Sequence, residues 1–332
     1  MKILLIQTAS IGDVVLMTPM VEALHHTLPG VQIDLLVKKG MEPLFKDHPY
    51  LQQVLIWDKS NRKYSNLFRL MQRVRQEKYD QVITLQRFFS GGLIAVLSGA
   101  KVKAGFDKNP LSRWFTYRLP HVINNPSVHE ADRNISLLAH LGVSPPWKPR
   151  LHLSESVIKR VMSSVRQPYL CIAPASLWFT KQYPEEQWID LMDNIPQHYT
   201  CYVIGSKSDK PLAERLCNKT THPAVIDLTG KHTLMETAAL MKHAVMNYTN
   251  DSAPLHLASA TNAPVTAIFC STVPAFGFGP LSDHSFVVET PRPLPCRPCG
   301  IHGKRACPEK HFHCARFIQT KHLIASLPQS SI

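Results

Sequence analysis

No segment of the 332-residue chain approaches the roughly 20 consecutive apolar residues that cross a bilayer. The opening stretch MKILLIQTASIGD carries an apolar run of only four residues before Gln7, too short for a secretory signal. The expected home is the cytoplasm, where the eight cysteines stay mostly reduced. Low-complexity tracts are missing. So are the P-loop and G-x-G-x-x-G fingerprints, which weakens kinase, GTPase and ordinary dehydrogenase readings. Acid is in short supply: 24 Asp plus Glu face 37 Lys plus Arg, for a net charge of +13. Such a surplus suits nucleic acid, an anionic membrane surface or a phosphorylated substrate, and charge alone does not choose among them.

What is present is an alternation. Strand-sized apolar runs (KILLIQ, VQIDLLV, VLIW, QVITLQ, KVKAGF) are separated by longer helical patterns, among them residues 14–27 and NLFRLMQRVRQEK. The pattern then restarts with YLCIAP, TCYVIGS, AVIDLTG, AVMNYTN and PVTAIFC around further helices. Strands spaced by helices argue for βαβ units and parallel sheets. A hydrophobic content of 44% and the length fit two folded domains of roughly 150 residues each. Prolines 145, 146 and 149 interrupt the helical pattern near the join. The domains are drawn as 1–155 and 156–332, with the final helix a candidate to pack back on the first.

Ligands of open α/β sheets bind beyond the carboxyl ends of the strands, where helix N-termini offer unpaired amides. Four such corners carry polar residues. TNDSAPLHLAS places Asp251, Ser252 and His256 at a helix that starts near Pro254, a residue suited to a first turn. ASLWFTKQYPEEQW supplies Ser176, Thr180 and Lys181, the lysine being a natural point charge for a diphosphate. VIGSKSDKPLAERL adds Ser206 and Asp209, and QTASIGDVV adds Asp13. Plain roles stay open for each of them: helix caps for Asp13, Asp209, Asp251 or Ser252, a buried imidazole for His256, solvation for Lys181.

Taken in order, SIGDVVLMTPMVEAL, PASLWFTKQYPEEQW, DLTGKHTLMETAAL, TNDSAPLHLASATNAPVTAIF and the late CRPC make a specific set. With them the chain resembles the ADP-heptose:lipopolysaccharide heptosyltransferases of glycosyltransferase family 9 over about residues 1–320. The resemblance implies an α/β GT-B fold of two facing Rossmann-like domains with parallel sheets, the first binding acceptor and the second the nucleotide sugar. It also implies inverting transfer of heptose from ADP-heptose to the inner core of lipopolysaccharide, with no cofactor required for catalysis. Asp13 becomes the general base. Lys181, Ser176 and Thr180 become diphosphate contacts, Asp209 a ribose contact, Ser206 a further donor-binding residue, and Asp251, Ser252 and His256 holders of sugar and phosphate. An acceptor of the Kdo-lipid A type and the inner face of the inner membrane suit the basic surplus, with Arg62, Lys63, Arg87, Arg113, Arg118 and Arg133 as candidate contacts. The sequence departs from the family pattern at Gln182-Tyr183, at Ala253 and at Cys270-Ser271.

CRPCGIHGKRACPEKHFHC spaces Cys296, Cys299, Cys307 and Cys314 as C-x2-C-x7-C-x6-C, with His302, His311 and His313 between them. A structural zinc, disulfides and free thiols all remain open for these four. Cys171, Cys201, Cys217 and Cys270 read as core. Two rival functions stand beside the main one. A family 9 transferase could use another sugar nucleotide for a different surface glycan. A basic nucleic-acid-binding protein would need basic–aromatic interleaving on one face, whereas here the polar residues gather at strand ends, and no nucleic-acid partner is expected.

Overall fold

The central apolar runs become strands buried on both faces, as parallel strands covered by crossover helices must be. A computed structural model describes residues 1–60, 62–123, 125 and 128–328. It divides the chain into two compact units, Met1–His152 and Leu153–Ile332, the last four residues lying outside the described ones.

In the first unit β1 (Lys2–Ile6), β2 (Gln32–Lys38), β3 (Leu51–Trp57), β4 (Gln81–Thr84), β5 (Val102–Phe106) and β6 (Tyr117–Leu119) form one sheet. Its order is β3-β2-β1-β4-β5-β6, every pairing parallel. The second unit has β7 (Tyr169–Ala173), β8 (Thr200–Val203), β9 (Val225–Asp227), β10 (Met246–Asn250), β11 (Val265–Phe269) and β12 (Ser285–Glu289). Its order, β12-β11-β10-β7-β8-β9, is the same doubly wound plan, again wholly parallel. Each sheet therefore has one switch point, between β1 and β4 in the first and between β7 and β10 in the second. The short edge strands β6 and β12 are the two that the apolar runs did not mark.

Helix Glu185–Asn194 shows how the layers form. It opens after Pro184 with Glu185 and Glu186 in its first turn, where the helix dipole favours carboxylates. Trp188, Leu191 and Met192, at i, i+3 and i+4, then bury against the core that includes Leu170, Ile172, Cys201 and Val203. Truncating the fully buried Trp188 to alanine costs about 3–5 kcal/mol by precedent for large core side chains.

The helix expected over 14–27 is in fact two, Ile11–Val15 and Thr18–Thr27. Pro19 has no N–H for the carbonyl of Val15, and the Thr18 hydroxyl donates to that carbonyl instead, at 2.7 Å. The last helix, Thr320–Ile324, the candidate to pack back on the first unit, lends Leu323 to the second unit's own core. Leu323 is fully buried there, and its carbonyl accepts the Tyr248 hydroxyl at 3.1 Å. Among the described residues no helix is long and apolar enough to cross a membrane.

Candidate active site

The β1 strand end turns through residues 7–10 into helix Ile11–Val15, whose N-cap is Ser10. The Asp13 carboxylate accepts the Ser10 amide at 3.0 Å and the Ser10 hydroxyl at 2.6 Å, and the Asp13 amide returns a bond to Ser10 Oγ at 3.4 Å. Asp13 is thus the third-position partner of a capping box, not the cap itself. One carboxylate oxygen, Oδ2, takes both Ser10 bonds. Lys59 holds the same turn from the side, its ammonium donating to the Thr8 carbonyl at 2.8 Å and to Thr8 Oγ1 at 3.0 Å. Burial, helped by Lys38 and Lys63, lowers the Lys59 ammonium to about 8.

At the second switch point β7 and β10 end side by side. The loop after β7 brings Lys181 Nζ to 2.6 Å from Asp251 Oδ2, which follows β10. The pair is well covered, with side-chain exposures of 14% and 8%. Thr272 Oγ1 donates to the same Asp251 oxygen at 2.6 Å. Asn250 fixes both ends of the loop: its amide donates to Pro174 O at 2.7 Å and its carbonyl accepts the Tyr183 amide at 2.9 Å. Helix Ala253–Thr261 starts beside this pair with Ser252 as N-cap; the Ser252 side chain makes no capping bond, Pro254 has no N–H, and the Leu255 amide turns back to the Ser252 carbonyl at 3.1 Å. A cation beside a helix N-terminus at a switch point is an arrangement able to hold an anion such as a diphosphate.

The model of glycosyltransferase family 9 (heptosyltransferase) matches residues 67–312. The chain belongs to glycosyltransferase family 9. It is 26% identical over 275 residues to lipopolysaccharide heptosyltransferase 3 of Escherichia coli, covering 79% of this chain and 81% of that one. Lipopolysaccharide heptosyltransferase 1 of Pseudomonas aeruginosa is also 26% identical, over 322 residues, covering 90% of this chain and 86% of its own length. Among solved structures, the Escherichia coli ADP-heptose lipopolysaccharide heptosyltransferase II superposes with a TM-score of 0.81 at 20% identity. That likeness covers 98% of this chain and 97% of the other, and it carries the fold, a GT-B pair of Rossmann-like units.

The other residues singled out from this family 9 sequence fall into distinct places. Thr180 is buried beside Lys181, and Ser176 gives its backbone carbonyl to Gln182 Nε2 at 2.6 Å. Asp209 closes a second capping box, accepting the Ser206 amide and hydroxyl, each at 2.7 Å. His256 is buried in the helix that starts at Ala253. Arg62, Lys63, Arg113 and Arg118 are exposed and Arg87 half-exposed. Arg133 is not a surface cation: with 5% of its side chain exposed it pairs with Glu130 at 2.8 Å and donates to the carbonyls of Val122 and Val128. Sequence reasoning missed Lys59, Asn250, Thr272 and Arg297. The Arg297 guanidinium donates to the carbonyls of Phe269, Cys270 and Thr272 and pairs with Glu289. Its signal was within reach, because it sits inside CRPC.

All eight cysteines are free thiols. Cys296, Cys299, Cys307 and Cys314 line one cavity of about 200 Å³, together with Thr180, Lys304 and Phe312. Burial first, then the other three thiols, pushes Cys314 up to about 12. Among the described residues the only set of three ligand-type atoms within 4.8 Å of one another is Glu22, His48 and His152, so the thiols must draw together to share an ion. The Glu22 set is itself better read as a polar network around one carboxylate, which meets His152 Nε2 at 2.8 Å and the Arg150 guanidinium at 3.9 Å. Nδ1 of His48 accepts the Tyr50 amide at 3.2 Å, which leaves the proton of the neutral ring on Nε2, facing Glu22 at 4.0 Å.

Proposed function

We propose that the protein moves heptose from ADP-heptose to the inner core of lipopolysaccharide, with inversion. The Lys181–Asp251 pair at the second switch point, beside the N-terminus of helix Ala253–Thr261, is the observation that carries the reading. As the sugar leaves, negative charge gathers on the departing diphosphate, and a preorganised ammonium with helix-terminal N–H groups stabilises it. Asp251 and Thr272 keep Lys181 oriented, while Ser176, Thr180, Ser252 and His256 border the donor and Ser206 and Asp209 lie on its ribose side. Asp13 takes the proton of the acceptor hydroxyl as the new bond forms, and Ser10 holds the carboxylate in place. Lys59 positions the turn that carries both. The relatives' names supply the heptose and lipopolysaccharide in this reading. Release of ADP with ADP-heptose and a panel of truncated cores tests it; turnover of a different sugar nucleotide, with none of ADP-heptose, would overturn it.

The first unit meets the acceptor at a membrane surface. Tyr64 and Phe68 are 80% and 57% exposed on helix Lys63–Gln76, and Phe88 and Phe89 are 67% and 55% exposed at the start of helix Phe89–Leu97, which packs on it. Arg62, Lys63, Arg69 and Arg73 accompany these rings, and Arg87, Arg113 and Arg118 add charge for an anionic acceptor. Sedimentation with anionic but not zwitterionic vesicles is the expected result; equal recovery with both, or with neither, would remove the membrane from the reading. The four thiols of residues 296–314 fit a thiophilic divalent ion such as zinc, which would cross-link the segment and carry none of the transfer chemistry. Metal analysis of the purified protein should give one equivalent per chain.

A further inference from the structure

We propose that the cysteine-rich segment is a strut for the donor lysine. A divalent ion held by Cys296, Cys299, Cys307 and Cys314 fixes Gly303 and Lys304 against Thr180 and Lys181, so that affinity for the nucleoside diphosphate follows occupancy of the thiol site. The inference rests on the donor and metal readings above and adds a link between them.

The link is made by backbone. The Thr180 amide donates to the Lys304 carbonyl at 3.1 Å, and the Lys304 amide donates to Thr180 Oγ1 at 2.7 Å. Gly303 lies over the lysine stem with φ +77°, in the left-handed region that favours glycine. A Cβ placed there would stand 3.0 Å from Lys181 Cγ, 3.1 Å from Thr180 Oγ1 and 3.3 Å from Lys181 Cδ. The strut therefore touches the donor loop through a residue with no side chain, closely enough that adding one displaces the lysine.

The stretch that makes this contact is bounded by two thiols. Gly303 and Lys304 lie in the seven residues between Cys299 and Cys307. Among the described residues no helix or strand lies between Glu289 and His313, so no ladder of backbone bonds holds this stretch. An ion shared by Cys299 and Cys307 would close it into a short loop and remove the chain entropy that otherwise works against the contact. The near end is already tied: the Cys299 amide donates to the Ser271 carbonyl at 2.9 Å, and the Ser271 hydroxyl donates to Thr180 Oγ1 at 3.0 Å. Thr180 and Lys304 stand in the wall of the same cavity as the four thiols. Tightening or loosening the thiols thus moves the wall on which Lys181 rests. Gly303 and Lys304 are positioning residues, since neither needs to touch the donor.

The test measures ADP affinity by calorimetry on the full chain in three forms: as purified, stripped of metal with a thiol-directed mercurial and chelator and then reduced, and reloaded with Zn²⁺. Stripping should weaken ADP binding by about tenfold while the fold, followed by far-ultraviolet dichroism, persists; Zn²⁺ should restore it and Mg²⁺ should not. A second arm needs no metal chemistry. Gly303→Ala should weaken ADP binding by a similar factor with its metal content unchanged. A stripped, folded protein with undiminished ADP affinity would show the segment to be structural only, and so would an unaffected Gly303→Ala. Failure of the heptose reading looks different: the loaded protein would bind ADP tightly yet release none from ADP-heptose.

Discussion

Replacing Lys181 by methionine keeps the aliphatic stem that Gly303 and Thr180 pack on and removes only the ammonium. What remains is Asp251, a carboxylate with 8% of its side chain exposed, left with the Thr272 hydroxyl as its remaining described partner. Removing one partner of a buried pair typically costs 3–5 kcal/mol; Thr272 and the residual exposure bring the expected figure to about 2 kcal/mol. For a unit of this size each kcal/mol moves the midpoint by about 2–4 °C, so the second unit should melt about 4–8 °C lower. ADP affinity should fall as well, by roughly 10–100-fold, since a charge-assisted bond contributes about 1.5–3 kcal/mol. The two losses separate in Lys181→Met/Asp251→Asn. There the orphaned charge is gone, so calorimetric melting should return most of the way while ADP binding stays weak. Two results would refute the reasoning. Wild-type melting of Lys181→Met would mean that the pair contributes nothing to the fold. Recovery of ADP affinity in the double variant would mean that the lysine serves structure and not the diphosphate.

Asp13→Asn should lower turnover by about 10²–10⁴-fold. Its stability should fall by no more than about 1 kcal/mol, because the amide oxygen still accepts from Ser10; ADP release and melting, run together, check both, and a variant that keeps its rate removes Asp13 as base. His48 is held at about 4 by burial, with repulsion from His152 and His25 added, while an unfolded histidine titrates near 6.5. The folded state therefore binds fewer protons between these values, and the neutral ring's contribution is complete above about 6.5 and is lost as pH falls toward 4. The loss is about 3 kcal/mol, seen as a steeper decline in midpoint than His48→Gln shows over the same range. Arg297→Met removes donors to three carbonyls and a partner of Glu289, and urea unfolding should show a loss of about 2–3 kcal/mol.

Much of the architecture was legible because parallel strands covered on both faces are continuous apolar runs. β6 and β12 were not, since their side chains are largely open: Tyr117 and Arg118 point to solvent, and so do Phe286 and Val287. Each polar corner could be located separately, yet the Lys181–Asp251 pair could not. It depends on β7 and β10 being neighbours, a fact of topology and not of any local pattern. Capping boxes were half visible. Ser10 and Asp13 have the right spacing, but which residue caps is settled by backbone angles. Arg133 misled because charge reads as surface, although Glu130 three residues earlier offered the partner that lets it be buried.

Asn250 ties loop 174–183 to the end of β10 at both of its termini, one bond to the Pro174 carbonyl and one from the Tyr183 amide. A leash fastened at two points has few conformations left to lose. The two ends of the lysine loop are thus set when the chain folds, and on the proposed reading a diphosphate arriving later has only the stretch between them left to order. Little entropy then opposes capture. Differences among related donors on this site should accordingly be expressed in how slowly they leave, with rates of arrival nearly the same.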